Sequence, residues 1–201
     1  MLTIKGVSYH VSSNRCLFDN VSLKIDNEIV GLSGNSGIGK TTLAKLIARI
    51  IPLETGSIHV EKSDAKSNPI QLIWQHPEQA VNPKWRIKRI LLEAGEIDSD
   101  LLKKCGIKKD WLTRFPHQLS GGELQRVCIA RCLISKPRVI IADEITTMLD
   151  GLSQVDIWEL LIIYVKQNKV PMLVISHDEA LLNRICDRMI NFQKIVDLEK
   201  K

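Results

Sequence analysis

The stretch Gly34-Asn35-Ser36-Gly37-Ile38-Gly39-Lys40-Thr41-Thr42 constrains this chain more than any other. It fits the pattern G-x-x-x-x-G-K-[ST]. Before it lies a short apolar run, Glu28-Ile29-Val30-Gly31-Leu32, read as a buried strand after the turn signal Asp26-Asn27. After it, Leu43, Ala44, Leu46, Ile47 and Ile50 recur at helical spacing until Pro52 stops the helix. A glycine loop between a strand and a helix lets the backbone curl so that successive N–H groups converge on phosphate oxygens. The helix opening near Lys40 adds the positive end of its dipole. The Lys40 ammonium then reaches the β- and γ-phosphates, and the Thr41 hydroxyl is placed to ligate Mg²⁺. The rival reading is a plain glycine turn, which has no need of the lysine and threonine.

A second apolar run, Val139-Ile140-Ile141-Ala142, ends in Asp143 and Glu144. Carboxylates at the C-terminal edge of a parallel strand face the ligand crevice of the sheet. Asp143 suits a second Mg²⁺ ligand, and Glu144 suits a general base for the attacking water. Alone, such a pair is as readily a solvated strand end; beside a phosphate loop the chemical reading prevails. A third segment, Leu119-Ser120-Gly121-Gly122-Glu123, opens a long helix with a capping-box pattern, Ser120 with Glu123. Its glycine first turn leaves the N–H groups unobstructed, which makes a second anion site. One nucleotide has no use for two such sites on one subunit; two nucleotides between two subunits do.

The rest of the chain fits around these motifs. Ile4, Gly6-Val7, Tyr9 and Val11 read as one strand, and Val21, Leu23 and Ile25 as another. Ile58-His59-Val60 reads as an edge strand, residues 62–69 as polar turn sequence, and Pro69 to Trp74 as a further strand. From Gln75 to about Pro116 prolines and charge-rich helical sequence suggest an inserted helical unit. Then come a helix, the strand 139–142, a helix through Ile157, Leu160, Leu161 and Tyr164, and a buried strand Met172-Leu173-Val174-Ile175. Strands alternating with helices predict a parallel α/β sheet covered on both faces.

At 201 residues, with 44% hydrophobic and 25% charged, the chain has the balance of a globular protein rather than a disordered or collagen-like one. A net charge of +5 permits an anionic partner without demanding one. No run approaches a membrane-spanning helix, and Met1-Leu2-Thr3-Ile4-Lys5 does not read as a signal peptide. Five scattered cysteines include Cys128 and Cys132 at i,i+4 spacing; with no histidine nearby they read as buried free thiols of a reducing compartment, not as a metal site.

Taken together, Leu119-Ser120-Gly121-Gly122-Glu123-Leu124-Gln125-Arg126 resembles the signature motif of the ABC-type ATPases, and the resemblance extends over essentially the whole chain. It implies an α/β P-loop NTPase (RecA-like) core with an N-terminal antiparallel β subdomain and an inserted helical subdomain. The single domain 1–201 would divide into 1–75 with 136–201, and about 76–135 carrying the signature. The resemblance makes Tyr9 the aromatic that stacks on adenine, although a strand aromatic is more often core. Residues 34–42 become the Walker A loop and 139–144 Walker B, with Glu144 catalytic. Gln75 becomes the Q-loop glutamine, which contacts Mg²⁺ and senses the membrane partner. Thr147-Met148-Leu149-Asp150 is similar to the D-loop, and His177 in Ser176-His177-Asp178 to the switch histidine at the γ-phosphate, where an ordinary loop histidine is the bland alternative. Ser120, Gly121, Gly122 and Glu123 would contact ATP on the opposite subunit.

Finer features resemble the oligopeptide, dipeptide and nickel importer branch: Gln75-His76-Pro77-Glu78-Gln79-Ala80-Val81-Asn82-Pro83-Lys84, and Phe115-Pro116-His117-Gln118. Ile145 departs from the proline usual after the catalytic glutamate, and Met148 from a small D-loop residue. The sequence ends short of the C-terminal extension common in the branch, which puts a regulatory or cluster-binding tail in doubt. The implied protein binds ATP and Mg²⁺ at the cytoplasmic face of a membrane. Its partners would be integral permease subunits, a second ATPase subunit and, indirectly, an extracytoplasmic solute-binding protein. The basic groups Lys84, Arg86, Lys88 and Arg89, and Lys103, Lys104, Lys108 and Lys109, read as solvated faces rather than a nucleic-acid surface, because only Trp85 intervenes; Trp85 is a further candidate for docking the membrane subunit. Two alternatives stay open. A soluble ABC ATPase acting on nucleic acid or ribosomes usually carries coiled-coil, zinc or tandem modules, and a small-molecule P-loop kinase has no use for a signature helix.

Overall fold

A computed structural model describes residues 1–12, 15–61, 68–147 and 149–198. Residues 62–67 of the expected polar turn, and the D-loop position Met148, lie outside the described residues.

The alternating N-terminal sequence folds as two long antiparallel strands, β1 (Leu2–Ser12) and β2 (Arg15–Ile25). With β4 (Ser57–Val60) on the other edge of β1 they form a three-stranded antiparallel sheet. The continuous apolar runs make a second, wholly parallel sheet from β3 (Ile29–Ser33), β5 (Ile70–Ile73), β6 (Val139–Asp143), β7 (Met172–Ile175) and β8 (Arg188–Asn191), in the order β5-β6-β7-β3-β8. Every residue of β3, β6 and β7 is buried, as expected of strands covered on both faces.

The faces alternate strictly. Val139, Ile141, Leu173 and Ile175 join Val30 and Leu32 in a core with Leu43, Ala44, Leu46 and Ile47 of α1 (Lys40–Ile47) and with the inner face of the antiparallel sheet. Ile140, Ala142, Met172 and Val174 point the other way. There they meet α4 (Gly121–Ile134) and α5 (Gly151–Asn168). Each fully buried branched side chain contributes about 1.5–3 kcal/mol. Between β5 and β6 run α2 (Ile87–Ala94), α3 (Ser99–Lys104) and α4, with short 3₁₀ turns between them. Ile87, Ile90, Leu91 and Trp111 extend the second core into this helical region.

One expectation needs correction, and one region adds to it. Helix α1 stops at Ile47, well before Pro52. Arg49 adopts φ +59°, its N–H donates to the Leu46 carbonyl at 3.0 Å, and the Ile50 N–H donates to Lys45 at 2.9 Å. This Schellman pair closes the helix and leaves Ile50 46% exposed instead of on the apolar face. Beyond the strand 172–175 the chain also adds α6 (Glu179–Ile185), β8 and α7 (Phe192–Leu198), none of which the sequence pattern announced. Among the described residues no helix is long and apolar enough to cross a membrane.

Strand register decides where the chemistry gathers. Leu32 of β3 pairs with Ile175 of β7, and Ile175 pairs with Asp143 of β6. Ile73 of β5 pairs with Ala142. The loops that follow β3, β5, β6 and β7 therefore leave the sheet at one level on one edge.

Candidate nucleotide site

The loop after β3 turns through Gly34, Gly37 and Gly39 with φ of +146°, +79° and +108°. Gly39 is required twice over, because a Cβ there would lie 2.9 Å from Leu17 and Phe18 as well as in a left-handed backbone. Helix α1 then starts at Lys40 with no side-chain cap and no acidic residue in its first turn. Its N-terminal N–H groups face an anion site uncontested. Lys40 is 7% exposed. Its Nζ donates to the Gly34 carbonyl at 2.7 Å and to Asn35 at 2.9 Å. Burial lowers its pKa, opposed by the nearby Glu144 and Asp143 carboxylates.

Asp143 closes β6 at 5% exposure. Burial raises its pKa, the Thr41 hydroxyl bond lowers it, and the adjacent Glu144 raises it again. Glu144 sits at φ +49°, a left-handed conformation that costs a non-glycine residue about 1–2 kcal/mol. Its N–H donates to the Ile175 carbonyl at 3.0 Å. Its carboxylate accepts from Gln75 Nε2 at 3.0 Å and lies 3.2 Å from His177 Nδ1. Three loops thus meet on one carboxylate. The next residue, Ile145, is buried in the second core.

Ser36, Gly37, Gly39, Lys40, Thr41, Thr42, Gln75 and Glu144 line one cleft of about 490 Å³, with Leu17 and Ile175. Ile38 packs over Gly34. The structure does not bring every expected residue to this cleft. Tyr9 is half-buried against Phe18, ring centroids 6.3 Å apart, and is not among the lining residues, whereas Leu17 is. Ser120, Gly121, Gly122 and Glu123 open α4 instead. The Ser120 Oγ accepts from the Glu123 N–H at 3.2 Å, and the Glu123 carboxylate accepts from the Ser120 N–H at 2.9 Å. Asp150 caps α5 by accepting from the Ser153 N–H at 3.0 Å, and these Ser153 bonds hold its carboxyl below the usual range. Among the basic residues, Arg89 lies over Trp85 at 4.1 Å and Arg86 over Phe115 at 4.6 Å. Leu17 and Phe18 were not singled out from sequence; the only signal was an apolar pair inside an alternating strand. Phe192 gave no signal at all.

A phosphate loop on an inner strand of a parallel sheet, with a carboxylate pair two strands away, defines a P-loop nucleoside triphosphatase. Residues 18–147 match the ABC transporter family, and the chain belongs to that family as an ATP-hydrolysing cassette. It is 33% identical over 204 residues to the nickel import system ATP-binding protein NikE of Staphylococcus aureus (strain bovine RF122 / ET3-1), covering 94% of this chain and 85% of NikE. It is 32% identical over 228 residues to the oligopeptide transport ATP-binding protein OppF of Streptococcus mutans serotype c (strain ATCC 700610 / UA159), covering 98% of this chain and 74% of OppF. Its fold matches the ATP-binding cassette MJ0796, seen as a dimer in a post-hydrolysis state with ADP and Pi, at a TM-score of 0.80 and 25% identity over 95% of this chain and 94% of that one.

Proposed function

We propose that this chain is the ATP-hydrolysing subunit of an importer for peptides, nickel or metal-chelate solutes, working at the cytoplasmic face of a membrane. The observation that carries the hydrolytic role is Glu144, in the lining of the phosphate-loop cleft, held between Gln75 and His177. The importer role rests on the likeness to NikE and OppF.

Lys40 and the loop N–H groups hold the β- and γ-phosphates, and Tyr9 stacks on adenine. Glu144 takes the proton of the attacking water as general base. His177 steadies that carboxylate and the γ-phosphate. The donors around Thr41 are hard oxygens: its hydroxyl, the Asp143 carboxylate already bonded to it, and the Gln75 amide oxygen left over when Nε2 donates to Glu144. Such a set suits Mg²⁺. When bound, Mg²⁺ neutralises charge developing on the phosphate oxygens. Thr41, Asp143 and Gln75 would hold it.

In this reading two ATPase subunits pack head to tail, and Ser120, Gly121, Gly122 and Glu123 of each face the other's nucleotide, with Asp150 at the seam. The region about 76–135 moves as a helical unit against 1–75 with 136–201. Its motion is passed to integral permease subunits fed by an extracytoplasmic solute-binding protein. This reading includes no nucleic-acid partner; the Trp85 and Phe115 rings beside the basic groups carry Arg89 and Arg86 of the chain itself.

Two lesions on the two chains of an assembled ATPase pair test the arrangement. With Lys40→Ala on one chain and Ser120→Arg on the other, one composite site carries both lesions and the other carries none, so ATPase activity returns. A verified pair that stays silent refutes head-to-tail assembly. Isolation from native membranes should bring down membrane-embedded subunits; recovery of ribosomes or nucleic acid instead would contradict the importer role.

A further inference from the structure

We infer that Phe192, at the start of the last helix, is a positioning residue for the phosphate loop, acting with Phe18 to brace the two glycines that begin and end it. The inference rests on the reading of that loop as the ATP site. Ser33 of β3 pairs with Asn191 of β8, so the residue after β8 stands level with the residue after β3. Phe192 therefore meets Gly34. A Cβ on Gly34 would lie 3.6 Å from the Cβ of Phe192 and 3.6 Å from the Gln193 nitrogen. At the far end of the loop, a Cβ on Gly39 would lie 2.9 Å from Cδ1 of Phe18. The two rings meet edge to face, centroids 5.6 Å apart at 70°, and Phe18 in turn touches Tyr9. Phe192 is 0% exposed.

A phosphate loop works by aiming its N–H groups, and its glycines supply no side chains to hold that aim. Stiffness has to come from what is packed beneath. Here the Phe192 Cβ and the Gln193 nitrogen stand beside Gly34, and the Phe192 ring packs on the Phe18 ring, which itself lies beneath Gly39. Lys40 depends on the same support, since its ammonium rests on the carbonyls of Gly34 and Asn35. The phosphates make these contacts before and during hydrolysis, so loss of the brace is a loss of uniform binding. It raises KM and leaves kcat nearly unchanged. A core residue that served stability alone would lower the melting temperature and move neither.

The series Phe192→Leu, Phe192→Val and Phe192→Ala tests this in the full chain, with Leu161→Ala, fully buried in the other core cluster, as the stability control. Binding of ATP, ADP and inorganic tripolyphosphate is measured by titration, with melting temperature and steady-state ATPase alongside. Affinity for all three ligands should fall together along the series, by about ten- to a hundredfold at alanine, with leucine recovering most of it. Leu161→Ala should lower the melting temperature and leave the affinities alone. A flat dissociation constant across the variants that fold, or an equal shift in Leu161→Ala, overturns the role of Phe192. If the wild-type chain bound neither ATP nor tripolyphosphate, the reading of the loop itself would fall.

Discussion

Glu144 illustrates how much of the site is settled one residue at a time. Its left-handed backbone turns the carboxylate away from the strand direction and into the space between Gln75 and His177. Lys40 is settled by burial: it rests on two loop carbonyls, which a phosphate can replace at little rearrangement. Lys40→Ala should therefore abolish tight ATP binding, because it removes the motif cation placed for the β- and γ-phosphates. Unchanged affinity in a calorimetric titration would contradict that placement. At this scale the sequence was highly legible. Glycine, lysine and carboxylate positions are fixed by backbone conformation and charge, and those requirements show in residue type. What stayed hidden was the apolar lining. Leu17 reaches the cleft because of which strand face it occupies, and Phe192 reaches the loop only through the register of β8 on β3.

Among the elements, α4 shows what a cap contributes. Ser120 and Glu123 each satisfy the other's backbone N–H. Ser120→Ala should destabilise the chain by about 0.5–2 kcal/mol, through loss of the side-chain half of the box. Urea unfolding would read this as a lower midpoint at constant slope; a midpoint equal to wild type would mean that the bonds add nothing net. This cap, the buried strands β3, β6 and β7, and α5 could all be read from periodicity. The end of α1 could not, because the Arg49 turn that stops it uses a residue with no special preference for φ > 0. Strand β8 is short and half-exposed at an edge, so it has neither alternation nor a continuous apolar run. Helix α7 has one fully buried anchor, Phe192, and too few residues to display a stripe.

Across the whole molecule, the parallel sheet acts as a ruler that brings residues far apart in sequence to one edge, Lys40, Gln75, Glu144 and His177 among them. The cysteines report on how well the rest is closed. Burial pushes the Cys105, Cys128 and Cys186 thiols up to about 12, and Cys132 higher still, while Cys16 is exposed. Near neutral pH a thiol reagent should label Cys16 quickly, the half-buried Cys186 more slowly, and Cys105, Cys128 and Cys132 only as the chain unfolds. Rapid labelling of Cys105, Cys128 or Cys132 in the native state would show that the core opens. The inward-facing α/β layout was legible here from the alternation of strands and helices. The contact of three loops on one carboxylate was not, since it depends on register. The account as a whole turns on Glu144 as the base of ATP hydrolysis. Its most direct test is Glu144→Gln, with nucleotide binding, turnover and light scattering measured on one preparation. Binding of ATP should persist, turnover should fall by ~10²–10⁴, and uncleaved Mg-ATP should hold a stable dimer. Turnover equal to wild type would contradict the account at its centre.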